Sequence, residues 1–293
     1  MYRITTFRIV YANISEETIV PIPLVRSTIE GQTARERIRA GYPVIGPFVK
    51  SASYQTMEIL GLAGLDHAVI DAEHAPFDRA GLDRMIVAAG SSGLPTLVRV
   101  PRHDPAFINS CLDLGADGVL VPHVRSAADA RAVVDAVKYG RGKRGFSPSG
   151  RAGRYGSMIA GDYRAMADAT SLIWCQIEDA EALSDLDEIA AIDDIDCLFI
   201  GPAALSLSLG AAGASAPSLR DAGETIAGAG RRHRRPVGIF VRSSADIAPW
   251  LALGITVFVC GSDQGILLSG ASALARDLEA IARDRMADGG TER

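Results

Sequence analysis

The chain has 293 residues, 48% of them hydrophobic, which suits one large core better than two small domains. Its formal charge of −5 comes from interspersed residues of both signs, which excludes the extended basic footprint of a nucleic-acid or anionic-membrane binder. Cys111, Cys175, Cys197 and Cys260 lie in apolar segments without CxxC spacing, so reduced, buried thiols are expected rather than disulfides or a zinc cage. The first residues lack the pattern of a signal peptide and no run is long and apolar enough to span a membrane; a soluble, cytoplasmic protein with no membrane partner is expected.

In chain order, residues 1–30 stand apart as an N-terminal extension, with Tyr2, Ile4, Phe7 and Ile9 spaced like a strand-like arm and Pro21 and Pro23 like a linker. From about residue 31, helical patterns alternate with eight short runs rich in β-branched residues, at 44–49, 67–71, 96–100, 118–121, 172–178, 197–201, 236–241 and 256–260. Each run is almost continuously apolar, as in a parallel strand buried on both faces. Asp104-Pro105 opens a helix carrying Phe107, Cys111 and Leu114 on one face, and Gly115 closes it. Similar helix-glycine-strand corners recur at Gly64 and Gly254. Eight units predict a (β/α)8 barrel over 31–283 with a flexible tail at 284–293. A doubly wound open sheet would carry a GxGxxG turn after its first strand, and none follows 44–49. The basic run from Arg231 to Arg235 lacks aromatic stacking partners and reads as the solvated end of a helix, so no nucleic acid is expected there.

In such a barrel, polar residues at the C-terminal strand ends share one mouth. The second run ends in Asp71-Ala72-Glu73-His74, placing an imidazole beside two carboxylates, a suitable proton shuttle near neutral pH; a capping loop that merely holds charges is the plainer reading. Arg99 ends the third run, where its fork can serve an oxyanion or a structural ion pair. In the fifth run, a period of two sends Gln176 and Glu178 to one side, and an acid so placed needs a cation or a metal. In the sixth, Gly201-Pro202-Ala203-Ala204 turns sharply into a helix whose first N–H groups can hold a carboxylate.

These segments resemble, in order and over about residues 31–280, the HpcH/HpaI aldolase/citrate lyase family. The residues that carry the likeness are Ile70-Asp71-Ala72-Glu73-His74, Val98-Arg99, Leu112-Asp113-Leu114-Gly115-Ala116 with Val121-Pro122, Arg144-Gly145 onward to Arg151 and Arg154, Gln176-Ile177-Glu178, and Phe199-Ile200-Gly201-Pro202-Ala203-Ala204-Leu205-Ser206. The resemblance implies a TIM barrel of the phosphoenolpyruvate/pyruvate-domain type, with its final helix exchanged between subunits of a homo-oligomer, a hexameric trimer of dimers. It implies a carbon-carbon lyase in which pyruvate or a related 2-oxo acid condenses reversibly with an aldehyde. It implies a divalent cation, Mg2+, Mn2+ or Co2+, held by Glu178 and by an aspartate of the last motif. That aspartate's position is Ala204 here, so metal binding is expected to be weakened. The resemblance further gives Arg99 the enolate oxygen, His74 proton transfer under orientation by Asp71 or Asp113, and Gln176 support of the substrate or a metal water. The other functions left open are a carboxylate-binding assembly subunit without aldol activity and a tailoring enzyme performing decarboxylation, hydration or acyl transfer.

Overall fold

All eight apolar runs become strands: β1 (Val44–Val49), β2 (Ala68–Asp71), β3 (Thr96–Arg99), β4 (Gly118–Val121), β5 (Leu172–Ile177), β6 (Cys197–Ile200), β7 (Val237–Val241) and β8 (Val257–Ser262). They pair in parallel in sequence order, and β8 pairs back onto β1, closing the expected (β/α)8 barrel. The structure, a computed structural model, describes residues 32–213 and 216–288; the arm and linker read in residues 1–30 lie outside the described residues. Strand limits shift by a residue or so from the sequence reading. Pro236, with no N–H to give the ladder, precedes β7, and Gly201 leaves β6 to cap the next helix.

Two apolar layers hold the barrel. Inside, Val44, Phe48, Val69, Leu97, Leu120, Trp174, Phe199 and Val259 fill the lumen, with Trp174 stacked on Phe199 at 5.8 Å between ring centroids. Outside, the opposite faces of the same strands meet the helices. These are α1 (Ala34–Arg39), α2 (Tyr54–Leu62), α3 (Arg79–Ser91), α4 (Pro105–Asp113), α5 (Ala127–Val137), α6 (Ala160–Thr170), α7 (Leu186–Ala190), α8 (Pro202–Ala211), α9 (Leu219–His233) and α10 (Ile247–Leu251). α1 and α6 are the exceptions: Ile38 of α1 joins the lumen cluster and Arg35 and Arg39 both bind Asp196, while Tyr163 of α6 packs on Tyr139 and Phe146. The inward parity of the strands, carried past their last apolar residue, delivers Lys50, Asp71, Glu73, Arg99, Gln176, Glu178, Gly201 and Arg242 to the opposite end.

The basic run is indeed the end of a helix. Arg234 closes α9 in the left-handed conformation, φ 52°, while Arg232 and His233 bind Asp187 and Arg235 binds Asp193. The final helix, α11 (Asp263–Asp288), runs past residue 283, where the sequence reading began the tail. It is anchored at its start, where Asp263 accepts from the N–H groups of Lys50 (2.8 Å) and Ser51 (3.0 Å). Ile266, Leu267, Leu274, Leu278 and Ile281 along it are exposed. The four thiols are free, three of them buried, and burial pushes the Cys111 thiol up to about 12. No described helix is long and apolar enough to cross a membrane.

His67, just before β2, stands edge-on to Trp174 with both ring nitrogens lacking a hydrogen-bond partner among the described residues. Burial pushes its imidazole down to about 4, so the folded protein keeps it neutral where the unfolded chain protonates it. Its contribution to stability is therefore lost as pH falls from the unfolded value towards the folded one. Asp117, which burial pushes up to about 6, acts in the opposite sense over the same window and masks the loss in the wild type alone. The expected result is that the stability difference between wild type and His67→Leu changes by about 2 kcal/mol between pH 7 and pH 5. Urea denaturation at the two pH values measures it, and parallel pH dependence in the two proteins would refute a neutral buried His67.

Candidate active site at the barrel mouth

β2 and β3 build one wall of the mouth. Their register places Asp71 beside Arg99, and the guanidinium binds the carboxylate with a two-pronged fork, Nε to Oδ1 at 2.9 Å and Nη2 to Oδ2 at 2.7 Å. Lys50 Nζ lies 3.3 Å from Oδ2, and the His74 backbone N–H donates to Oδ1 at 3.1 Å. Burial works to raise Asp71, but the Arg99 fork, the His74 N–H and Lys50 together hold its carboxyl below the ordinary value. The Arg99 guanidinium also lies over the Phe48 ring at 4.2 Å, which fixes its plane. Glu73 comes next, with Oε2 3.4 Å from Arg99 Nε and 3.6 Å from His74 Nε2, but with no hydrogen bond to that oxygen among the described residues. Burial raises the Glu73 carboxyl; Arg99 and His74 pull it back, and Glu178 adds to the rise.

The facing wall comes from β5 and β6. Glu178 is buried, with Oε1 accepting the His123 N–H at 2.9 Å and Oε2 accepting Gln176 Nε2 at 2.6 Å. The other amide atom, Gln176 Oε1, is buried without a hydrogen-bond partner among the described residues. Gly201 is required here: a Cβ would stand 2.8 Å from Gln176 Nε2 and 3.0 Å from Glu178 Oε2. From Gly201 as cap and Pro202 at its first position, α8 aims the N–H groups of its first turn at the mouth. The cavity between the walls measures about 370 Å³ and is lined by His74, Arg99, Gln176, Glu178 and the turn from Gly201 to Ala204, together with Phe48, Lys50 and Arg242.

Among the described residues no group of three or more His, Cys, Asp or Glu side chains is arranged as a metal cage. What the mouth offers is an oxygen donor, the Glu178 carboxylate that lines the cavity, with Gln176 beside it; Gln176 Oε1 and Glu73 Oε2 are buried and have no hydrogen-bond partner among the described residues. That donor fits a hard divalent cation whose remaining positions go to water and substrate, and it does not fit a soft metal. Ala204 brings only a methyl group to this wall.

The structure thus brings together Asp71, Arg99, His74, Gln176, Glu178, Gly201, Pro202, Ala203 and Ala204. The orientation of His74 differs from the expectation, because both Asp71 oxygens are engaged by Arg99 and the carboxylate nearest the imidazole is Glu73. Asp113, the last residue of α4, is not brought to the mouth: it accepts from Arg144 Nη2 at 2.8 Å and lines a separate cavity with Arg79, Asp83 and Arg151. Asp179 also turns away, to Arg125 at 3.2 Å and to the His123 ring at 3.0 Å. Sequence reasoning missed Lys50, His123 and Arg242. Lys50 and Arg242 keep the inward parity of β1 and β7, so period-two extension past the strand ends would have found them. His123 acts through its backbone at φ 54°, which no side-chain pattern announces.

Comparison with known proteins agrees with this architecture. The chain is 36% identical over 220 residues to the 5-keto-4-deoxy-D-glucarate aldolase of Shigella boydii, a match covering 74% of this chain and 85% of the relative. The crystal structure of an HpcH/HpaI aldolase/citrate lyase family protein from Burkholderia cenocepacia superposes with a TM-score of 0.77 at 29% identity, covering 84% of this chain and 98% of the other. That of an HpcH/HpaI aldolase from Desulfitobacterium hafniense also gives 0.77, at 26% identity over 84% and 96% of the two chains. The family model for HpcH/HpaI aldolase/citrate lyase matches residues 45–269, from the first strand into the last helix, and the chain belongs to that family.

Proposed function

We propose that the cavity binds a 2-oxo acid such as pyruvate, converts it to its enolate and joins that enolate reversibly to an aldehyde. The reaction class is that of the family, a carbon-carbon lyase of aldolase type. The observation that carries the reading is the convergence on one small cavity of a buried carboxylate, an Arg fork, an imidazole and a helix N-terminus. The N–H groups at the start of α8 receive the substrate carboxylate. Arg99, its plane held by Asp71 and Phe48, presents its remaining N–H donors to the keto oxygen as negative charge develops there. His74 Nε2, beside Glu73, moves the proton. In the condensing direction a methyl proton leaves the 2-oxo acid, the new C–C bond forms at the aldehyde carbon, and the aldehyde oxygen takes up a proton. Cleavage reverses each step.

Glu178, with Gln176 and Glu73 around it, would hold a divalent cation, Mg2+, Mn2+ or Co2+. Such a cation, when bound, supplies Lewis acidity that polarises the keto group. With Ala204 in the turn, water and the substrate's own oxygens must complete the coordination, so affinity is low without substrate. For assembly, we propose a homo-oligomer in which α11 lies on another subunit, a trimer of dimers as the family resemblance implies. The exposed apolar residues of that helix support it.

Deuterium exchange into the methyl group of pyruvate tests enolate formation without any aldehyde. With millimolar Mn2+ or Mg2+, the wild-type protein is expected to exchange these protons well above the rate in buffer. Pyruvate that binds but does not exchange would overturn the enzymatic reading and favour a carboxylate-binding subunit.

A further inference from the structure

Glu178 keeps its place through a neighbour that no chemistry above uses. Its Oε2 is held by the Gln176 amide two residues before it. The one hydrogen bond to Oε1 among the described residues comes from the backbone N–H of His123, at 2.9 Å. We propose that His123, anchored through its ring to Asp179 and Arg125, is a positioning residue that aims the Glu178 carboxylate at the cation. The inference rests on the reading of Glu178 as the cation's anchor and adds what holds that anchor in its orientation.

Three observations converge on it. First, His123 follows Pro122 past the end of β4 in the left-handed conformation, φ 54°, which is unfavourable for any residue with a Cβ and persists only where the surroundings fix it. In an extended chain successive N–H groups point to opposite sides, but this turn brings two of them to one side, facing the end of β5. The His123 N–H goes to Glu178 and the Val124 N–H to Gln176 O at 3.2 Å. Second, the turn is clamped on both sides. His123 Nδ1 donates to Asp179 Oδ2 at 3.0 Å, since a carboxylate only accepts, and Arg125 Nε holds the same oxygen at 3.2 Å while reaching Glu181 at 3.1 Å. Across the loop, the His103 ring donates to Pro122 O at 2.6 Å. Third, the His123 ring and Arg125 are half exposed, and ion pairs so placed contribute little to stability by themselves. What they fix is an oxygen of the buried Glu178, and partners of this kind, one step out from a metal ligand, set its aim.

Mn2+ affinity, measured with pyruvate present, reads the aim of Glu178. Valine, branched at Cβ, disfavours the left-handed conformation and has no ring for Asp179, so His123→Val should bind Mn2+ about tenfold more weakly or worse. Asparagine enters that conformation readily and keeps an N–H for Asp179, so His123→Asn should stay within about threefold of the wild type. Asp179→Ala should weaken binding about tenfold by freeing the ring, and adding it to His123→Val should change little more. Equal affinities in the valine and asparagine variants would overturn the proposal. So would a further comparable loss in the double variant, which would mean that Asp179 acts through its charge and not through His123. A second arm needs no cation and covers a valine variant that fails to fold: residue-resolved amide hydrogen exchange at His123 in wild type and Asp179→Ala. The His123 amide should be protected in the wild type and exchange at least about tenfold faster in the variant. Such a loss of protection supports the positioning role even where the wild type binds no Mn2+, which would remove the cation reading alone. Unchanged protection would remove the positioning role alone.

Discussion

Arg99→Met is expected to slow pyruvate proton exchange by roughly 100- to 1,000-fold, the loss typical of removing a fixed donor from a developing oxyanion. Two roles meet in this side chain, because the fork that faces the cavity also neutralises the buried Asp71. The variant leaves that carboxylate with Lys50 at 3.3 Å and the His74 N–H, and breaking one half of a buried pair costs about 3–5 kcal/mol. Activity therefore has to be read beside stability. The double variant Arg99→Met/Asp71→Asn removes the orphaned charge and should regain much of the stability without regaining exchange. Recovery of exchange together with stability would mean that Arg99 only holds Asp71 in place and does not touch the substrate.

The barrel was legible because parallel strands buried on both faces leave nearly unbroken apolar runs, and eight of them stand at βα spacing. Gln176 and Glu178 were legible for a related reason: alternation along β5 carries the parity of Trp174 outward to the mouth, and the cavity is lined by both. What the sequence hid was pairing. The strand end Asp71-Ala72-Glu73-His74 reads as a carboxylate orienting its own histidine, yet register between β2 and β3 sets Asp71 opposite Arg99, and the long-range fork takes both oxygens. Asp113 failed for another reason. It lies on a helix in the outer layer, and spacing along α4 says nothing about which cavity its end adjoins. Lys50 and Arg242 belong to no motif in the resemblance, so only strand parity could have recovered them. The exposed apolar length of α11 is invisible in composition, because Ile266, Leu267 and Leu278 would read as core in any ordinary last helix.

Glu178→Gln should abolish cation binding at the mouth and reduce exchange by at least about a hundredfold. The substitution keeps the volume: its amide oxygen can still accept the His123 N–H, and the Gln176 amide, turned over, presents Oε1 to the new amide N–H, so the wall stands while the negative charge goes. No other acid on β5 or β6 takes over: Asp179 is engaged by Arg125 and His123, and Ala204 contributes no ligand. Glu73 and Gln176 then remain as a buried acid with a raised titration point and a neutral amide, a poor site for a divalent ion. The measurement that bears most directly on this account is a Mn2+ titration followed by water-proton relaxation, with and without pyruvate, in wild type and Glu178→Gln. The wild type should bind Mn2+ weakly alone and distinctly more tightly with pyruvate, and the variant should show neither; unchanged Mn2+ affinity in Glu178→Gln would contradict the assignment of this carboxylate as the ion's protein anchor.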